Sequence, residues 1–130
     1  MKAQAGQELP PLVKEPTTQQ LVRYAGASGD FYQIHYDQDF ARSTGLSGVI
    51  LHGLLKTAFL GQLVTGWAGP EATLKSLEVS YRGLDYPGQK CTCRGVVRSQ
   101  EGREVVVEVW TEDPKGSKTT VGTATLELGP

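Results

Sequence analysis

Asp30 and His35 stand five residues apart in Gly29-Asp30-Phe31-Tyr32-Gln33-Ile34-His35, and His35 is one of only two histidines in the 130-residue chain. An imidazole, with an ordinary pKa of ~6.5, can take or give a proton near neutral pH, and a neighbouring carboxylate can share and orient the same water molecule. The pair is a candidate for acid–base work on water. A surface aspartate and a loop histidine that only cap nearby backbone groups would satisfy the same residue types. Phe31, Tyr32 and Tyr36 make the loop unusually aromatic and shift the balance toward a site.

The second histidine lies in His52-Gly53, just before the apolar run Leu54, Leu55, Ala58, Phe59, Leu60, Leu63 and Val64. If that run is a helix, the backbone N–H of Gly53 has no intrahelical partner and carries partial positive charge, which suits a carbonyl oxygen that becomes an enolate. Gly53 would let a ligand approach the backbone, or would only allow tight helix-to-sheet packing; both readings stay open. For His52 the residue types favour space-filling and the capping of a turn.

Several elements must hold these groups. Residues up to Lys14 are polar and proline-broken, consistent with a short first strand or an extended arm. Thr17 and Gln20 form a capping box after Pro16, which predicts a helix from about Thr18 to Ser28 that stops at Gly29. Asp30 to Tyr36 reads as a loop. Asp37 reads as the N-cap of a short helix through Arg42, ended by Gly45. The long apolar helix after His52-Gly53 carries only Lys56 and Gln62 as strongly polar residues, so it should be buried, with Gly66 closing it.

Four later runs alternate with a period of two and are separated by turn residues. Leu77, Val79 and Tyr81 share one face of the first, Cys91, Cys93, Gly95 and Val97 of the second, and Val105, Val107 and Val109 of the third; Val121, Ala124 and Leu126 lie in the fourth. Asp85-Tyr86-Pro87-Gly88, Gln100-Glu101-Gly102 and Asp113-Pro114-Lys115-Gly116 supply the turns. Helices followed by an antiparallel meander make an α+β chain, a single domain over residues 1–130, with a sheet wrapped around the apolar helix.

Thirteen lysines and arginines against fourteen acids leave a net charge of −1, so there is no electrostatic footprint for nucleic acid. The N-terminus lacks a signal-peptide core and no apolar run could span a bilayer, so a soluble cytoplasmic protein is expected. Cys91 and Cys93 read as reduced thiols, because a bridge between strand neighbours two apart would strain the backbone and two thiols do not complete a zinc site. Arg82, Lys90, Arg94 and Arg98 read as a solvated face that could also meet a phosphate-bearing carrier. There is no dinucleotide fingerprint, P-loop, nucleophile elbow or metal-spaced cluster.

The run Tyr24-Ala25-Gly26-Ala27-Ser28-Gly29-Asp30, with Ile34-His35-Tyr36-Asp37, Phe40-Ala41 and Ile50-Leu51-His52-Gly53-Leu54, resembles the hydratase motif of the MaoC-like (R)-specific enoyl-CoA hydratases. Val64-Thr65-Gly66-Trp67 is similar to the dehydratase subunits acting on (3R)-hydroxyacyl-ACP. The resemblance covers nearly the whole chain. It implies a hot-dog fold with a five-stranded antiparallel sheet around one long helix, working as a homodimer or as a heterodimer with a related subunit. It implies Asp30 and His35 as the groups that activate water for the C2–C3 bond of an acyl-CoA or acyl-ACP thioester, and the Gly53 N–H as the carbonyl clamp. No metal or other cofactor is expected.

Two departures stand out. Tyr32-Gln33 replaces the family's usual Asn-Pro, which removes a fixed φ and adds a bulky ring. Ala58 replaces a serine that some members use to hold the water, with Thr57 beside it; Tyr32, Thr57 and His52 are therefore possible water or pocket contacts. A subunit that binds an acyl thioester without chemistry, and a thioesterase, are the alternatives.

Overall fold

The computed structural model describes residues 1–130. Helix α1, Thr18–Ser28, begins where the Thr17 side chain accepts a hydrogen bond from the Gln20 N–H and ends at Gly29, whose φ of 79° is the left-handed turn that terminates helices at glycine. Leu21 and Ala25 are its buried stripe. A single 3-10 turn, Gln33–His35, follows, and then α2, Gln38–Ser43, which Asp37 caps through the Phe40 N–H.

Helix α3, Gly53–Ala68, is the spine of the molecule. It passes through Gly66 and stops at Gly69, about one turn beyond the expected end. A helical glycine costs only about 1 kcal/mol relative to alanine, and Trp67 and Ala68 both pack against the core, which favours carrying the helix on. Burial is confined to Leu55, Lys56, Phe59, Leu60, Leu63 and Val64. Leu54 is exposed, whereas Lys56 is inside, the reverse of what the residue types suggest.

The strands are β1, Leu12–Lys14, β2, Thr73–Tyr81, β3, Cys91–Glu101, β4, Glu104–Glu112, and β5, Lys118–Glu127. They form one antiparallel sheet in the order β1-β3-β4-β5-β2. Its concave face places Cys91, Cys93, Val97, Val105, Val107, Val109, Ala124 and Leu126 against α3, one continuous core. A long helix in the curl of such a sheet is the hot-dog fold.

The second half is not a simple meander. Strand β2 pairs with β5 at one edge, while β3 pairs with β1 and β4, so residues 82–90 carry the chain across the sheet instead of turning it back. The segment is too long for a tight hairpin, and Asp85 within it is buried rather than placed at a solvated turn. The other two turns do form hairpins: Gly102 lies between Glu101 and Glu104 with φ 60°, and Asp113 Oδ1 accepts from the Lys115 and Ser117 N–H groups. No helix is long and apolar enough to cross a membrane.

Cys91 and Cys93 are free and buried. A hydrogen bond with Cys93, then burial, pushes the Cys91 thiol far up, and a protonated thiol is a poor nucleophile. Native protein should therefore leave an aromatic disulfide reagent unreacted, with both thiols titrating only after denaturation; rapid reaction of the native protein would contradict the packing of β3.

Candidate active site

The left-handed turn at Gly29 throws Asp30 off the end of α1, and three contacts then fix it. Its N–H donates to Ser28 Oγ at 3.2 Å, its Oδ1 accepts from the Tyr32 N–H at 3.3 Å, and its carbonyl accepts from His52 Nε2 at 3.2 Å. The other carboxylate oxygen, Oδ2, lies 3.8 Å from His35 Nε2. That separation is too long for a direct hydrogen bond and suits two acceptors that share a donor.

His35 is held from the opposite side. The 3-10 turn is closed by the His35 N–H to the Tyr32 carbonyl at 3.1 Å, and the Ile50 N–H donates to the Ile34 carbonyl at 3.1 Å. In return His35 Nδ1 lies 2.9 Å from the Ile50 carbonyl. A carbonyl only accepts, so Nδ1 carries a proton, and Nε2 is the ring nitrogen that faces Asp30, an acceptor in the Nδ1–H tautomer.

His52 does more than fill space. Its ring stacks on His35 with centroids 3.9 Å apart, and the Tyr24 ring packs edge-on against it at 4.9 Å. Burial, followed by the field of His35, lowers its pKa below the ordinary histidine value, so it stands as a neutral plate behind His35. Its Nδ1 is buried without a hydrogen-bond partner. Asp30, His35 and His52 bring candidate ligand atoms within 4.8 Å of one another. Imidazole lone pairs lie in the ring planes, however, and two rings stacked at an interplanar angle of 21° do not aim theirs at one ion about 2.1 Å away.

Asp30, His35, Ile50, Leu51, Gly53, Leu54, Lys56, Tyr81, Gly83 and Leu84 enclose a cleft of about 360 Å³. Gly53 opens α3 at its floor, after an N-cap residue whose side chain makes no capping bond. A Cβ on Gly53 would lie 2.8 Å from the Tyr81 ring, so the glycine is required for close packing there. Thr57 Oγ1 bonds the Gly53 carbonyl at 3.3 Å and the Tyr81 hydroxyl at 2.9 Å, which ties it to the helix and to β2. Burial, followed by Tyr81 and Asp30, raises the pKa of Tyr24.

Tyr32 is exposed and sits edge-on to His35 and Phe40, with centroids 6.2 and 6.0 Å away. Its backbone, φ −61° and ψ 127°, is the extended conformation that a residue before proline adopts, although Gln33 follows. The loop thus takes the proline-compatible path without proline. Lys56, Tyr81, Gly83 and Leu84 escaped sequence reasoning as cleft residues, since each reads locally as helix or strand surface or as connection; only the crossing of residues 82–90 brings the last two here.

Residues 2–127 match the MaoC like domain family. The 3-oxo-4,17-pregnadiene-20-carboxyl-CoA hydratase beta subunit of Mycobacterium tuberculosis is 31% identical over 108 residues, 83% of this chain and 81% of that one. A peroxisomal hydratase-dehydrogenase-epimerase of Neurospora crassa is 29% identical over 91% of this chain, which spans 11% of that protein. Among solved structures, the ChsH1-ChsH2 complex of M. tuberculosis contains a chain similar with a TM-score of 0.90 at 27% identity, covering 98% of this chain and 99% of that one. An (R)-hydratase of A. caviae shares the fold with a TM-score of 0.88 at 23% identity, over 96% of each chain.

Gln33→Pro should be accommodated and should raise stability by about 0.5–1 kcal/mol, because the loop already has the required backbone; a loss in the denaturation midpoint would contradict it. For His52, the unfolded chain takes a proton near pH ~6.5 while the folded one resists it, so stability present above that pH falls as pH drops below it. Urea unfolding between about pH 7 and pH 5 should show a steeper loss for the wild type than for His52→Gln; equal slopes would contradict a neutral His52.

Proposed function

Because the chain belongs to the MaoC like domain family, we propose that it is a hydro-lyase that adds water to a trans-2-enoyl thioester to give the (3R)-hydroxyacyl thioester, and catalyses the reverse. The observation that carries this reading is the 3.8 Å gap between Asp30 Oδ2 and His35 Nε2, two acceptors facing one cleft. One water molecule can donate a hydrogen bond to each of them. A lone pair on its oxygen is then free to attack C3.

With Nδ1 committed to Ile50, His35 Nε2 is the proton acceptor in hydration. As the C3–O bond forms, the C2–C3 π pair moves toward the thioester oxygen, and the Gly53 N–H at the start of α3 holds the resulting enolate. The proton taken from water returns through the Asp30–His35 pair to C2, so H and OH are added and nothing else is consumed. No metal or redox cofactor enters this scheme, and CoA or ACP is part of the substrate. Dehydration runs the same steps backward.

The acyl group is read as lying over Ile50, Leu51, Leu54 and Leu84. The mycobacterial relative is named for a steroid carboxyl-CoA, and a cleft bordered by the exposed side chains of Leu54, Tyr81 and Leu84 is compatible with bulky acyl groups. Phe31 and Tyr32 are exposed at the loop and β2 leaves one sheet edge unpaired, so a dimer with itself or a related subunit is the assembly we infer.

Purified protein, alone and with a candidate partner subunit, should consume crotonyl-CoA or a bulkier enoyl-CoA with loss of enoyl absorbance. Asp30→Asn and His35→Ala should each lower kcat by about 100-fold or more, with circular dichroism checking that each variant is folded. Equal rates for wild type and variants would defeat the dyad assignment. Release of free CoA without hydration would indicate a thioesterase instead.

A further inference from the structure

Lys56 and Asp85 form an ion pair inside the protein: Nζ lies 2.9 Å from Asp85 Oδ2, and the two side chains are 3% and 4% exposed. Every other buried residue of α3 is apolar. A leucine or methionine would fill the Lys56 site without removing two charges from water, and buried ion pairs commonly contribute less stability than apolar residues of similar volume. Stability therefore does not account for the pair. Its geometry does something an apolar residue cannot.

The Lys56 ammonium has three N–H donors, and three oxygens surround it: Asp85 Oδ2 at 2.9 Å, the Gly83 carbonyl at 3.1 Å and the Thr119 carbonyl at 3.5 Å. Two of these acceptors belong to the crossing segment, residues 82–90, which has no helix or strand of its own to fix its backbone. Other bonds hold the same stretch: the Arg82 and Gly83 N–H groups donate to the Thr119 carbonyl, and the Leu51 N–H donates to the Asp85 carbonyl. Lys56 grips the residues on either side of Leu84, and Leu84 lines the cleft. On the helix, Lys56 stands one turn after Gly53 and therefore on the same face.

We propose that the Lys56–Asp85 pair is a positioning device that fixes the Gly83–Leu84 wall at a set distance from the start of α3 and so determines which acyl groups the cleft accepts. This rests on the reading of the cleft as an acyl-thioester site. Lys56 is a positioning residue, since its donors are all directed at the protein and none is left for a substrate. Removing the pair loosens the far wall, with consequences that grow with the part of the acyl group lying beyond the thioester.

The test uses saturated acyl-CoAs, so binding is read without turnover. Lys56→Met alone would strand a buried carboxylate and could fail to fold, so the informative variant is the pair Lys56→Met/Asp85→Leu. The dissociation constant of dodecanoyl-CoA should rise about tenfold in that variant, and that of butyryl-CoA much less. Val107→Ala, which removes core volume away from the cleft, should leave the ratio of the two constants unchanged even where the denaturation midpoint falls. Leu84→Ala should weaken dodecanoyl-CoA binding in the wild-type background and add little in the pairless one, the non-additivity expected of residues that act together. An unchanged ratio in a folded pairless variant, or additive effects of Leu84→Ala, would overturn the proposal. If the wild type binds acyl-CoA with this pattern yet hydrates no enoyl-CoA, the hydratase reading fails and the positioning role stands. If it hydrates enoyl-CoA but the ratio is unchanged in the pairless variant, the positioning role fails and the hydratase reading stands.

Discussion

The hydrogen bond from His35 Nδ1 to the Ile50 carbonyl joins two stretches of chain that the sequence keeps fifteen residues apart, and it settles which nitrogen faces the cleft. The Ile50 N–H answers it by donating to the Ile34 carbonyl, so the 3-10 turn and the approach to α3 are clamped in both directions. His52, two residues on, then reaches back to the Asp30 carbonyl and stacks on His35. Asp30, His35 and Gly53 are thus held to one short piece of backbone, residues 50–53. A tautomer and a helix start are fixed by the same few hydrogen bonds.

Much of this was legible in the sequence because it is local. Thr17, Gly29, Asp37 and the alternation of β3 and β4 act over a few residues, and the elements begin and end where those residues require. The pairing of β2 with β5 was not legible, since strand alternation says which face is buried and nothing about which neighbour a strand chooses. Nor did helical periodicity reveal the place of Lys56. A lysine on a greasy helix reads, like Gln62, as a polar interruption at the surface, and only a buried carboxylate delivered from residue 85 makes the interior tolerable for it.

At Tyr32-Gln33 a departure from a familiar motif still leaves Tyr32 in the extended conformation that a following proline would require. Loss of proline removes a covalent restraint on φ, but the extended backbone at Tyr32 is imposed from outside, by the Asp30 carboxylate on its N–H and by the 3-10 turn that its carbonyl begins. Hydrogen bonds hold the conformation that a ring at residue 33 would favour. What changes is the surface, where the Tyr32 ring lies exposed beside His35 and Phe40.

The crossing of residues 82–90 also has a bearing on how the chain matures. Its wall residues are tied to the carbonyl of Thr119, at the start of β5, and β2 has no sheet partner other than β5. A chain growing from its N-terminus holds Asp30, His35 and Gly53 long before that last strand exists. Until then the edge of β2 is open and the cleft has only one side. Closing it requires contacts between segments far apart along the chain, the kind that form slowly and leave edges exposed while they do. During synthesis the side chains of Asp30 and His35 therefore precede the far wall of the cleft they face, and in the interval between the two the open edge of β2 is exposed to pairing with the wrong strand.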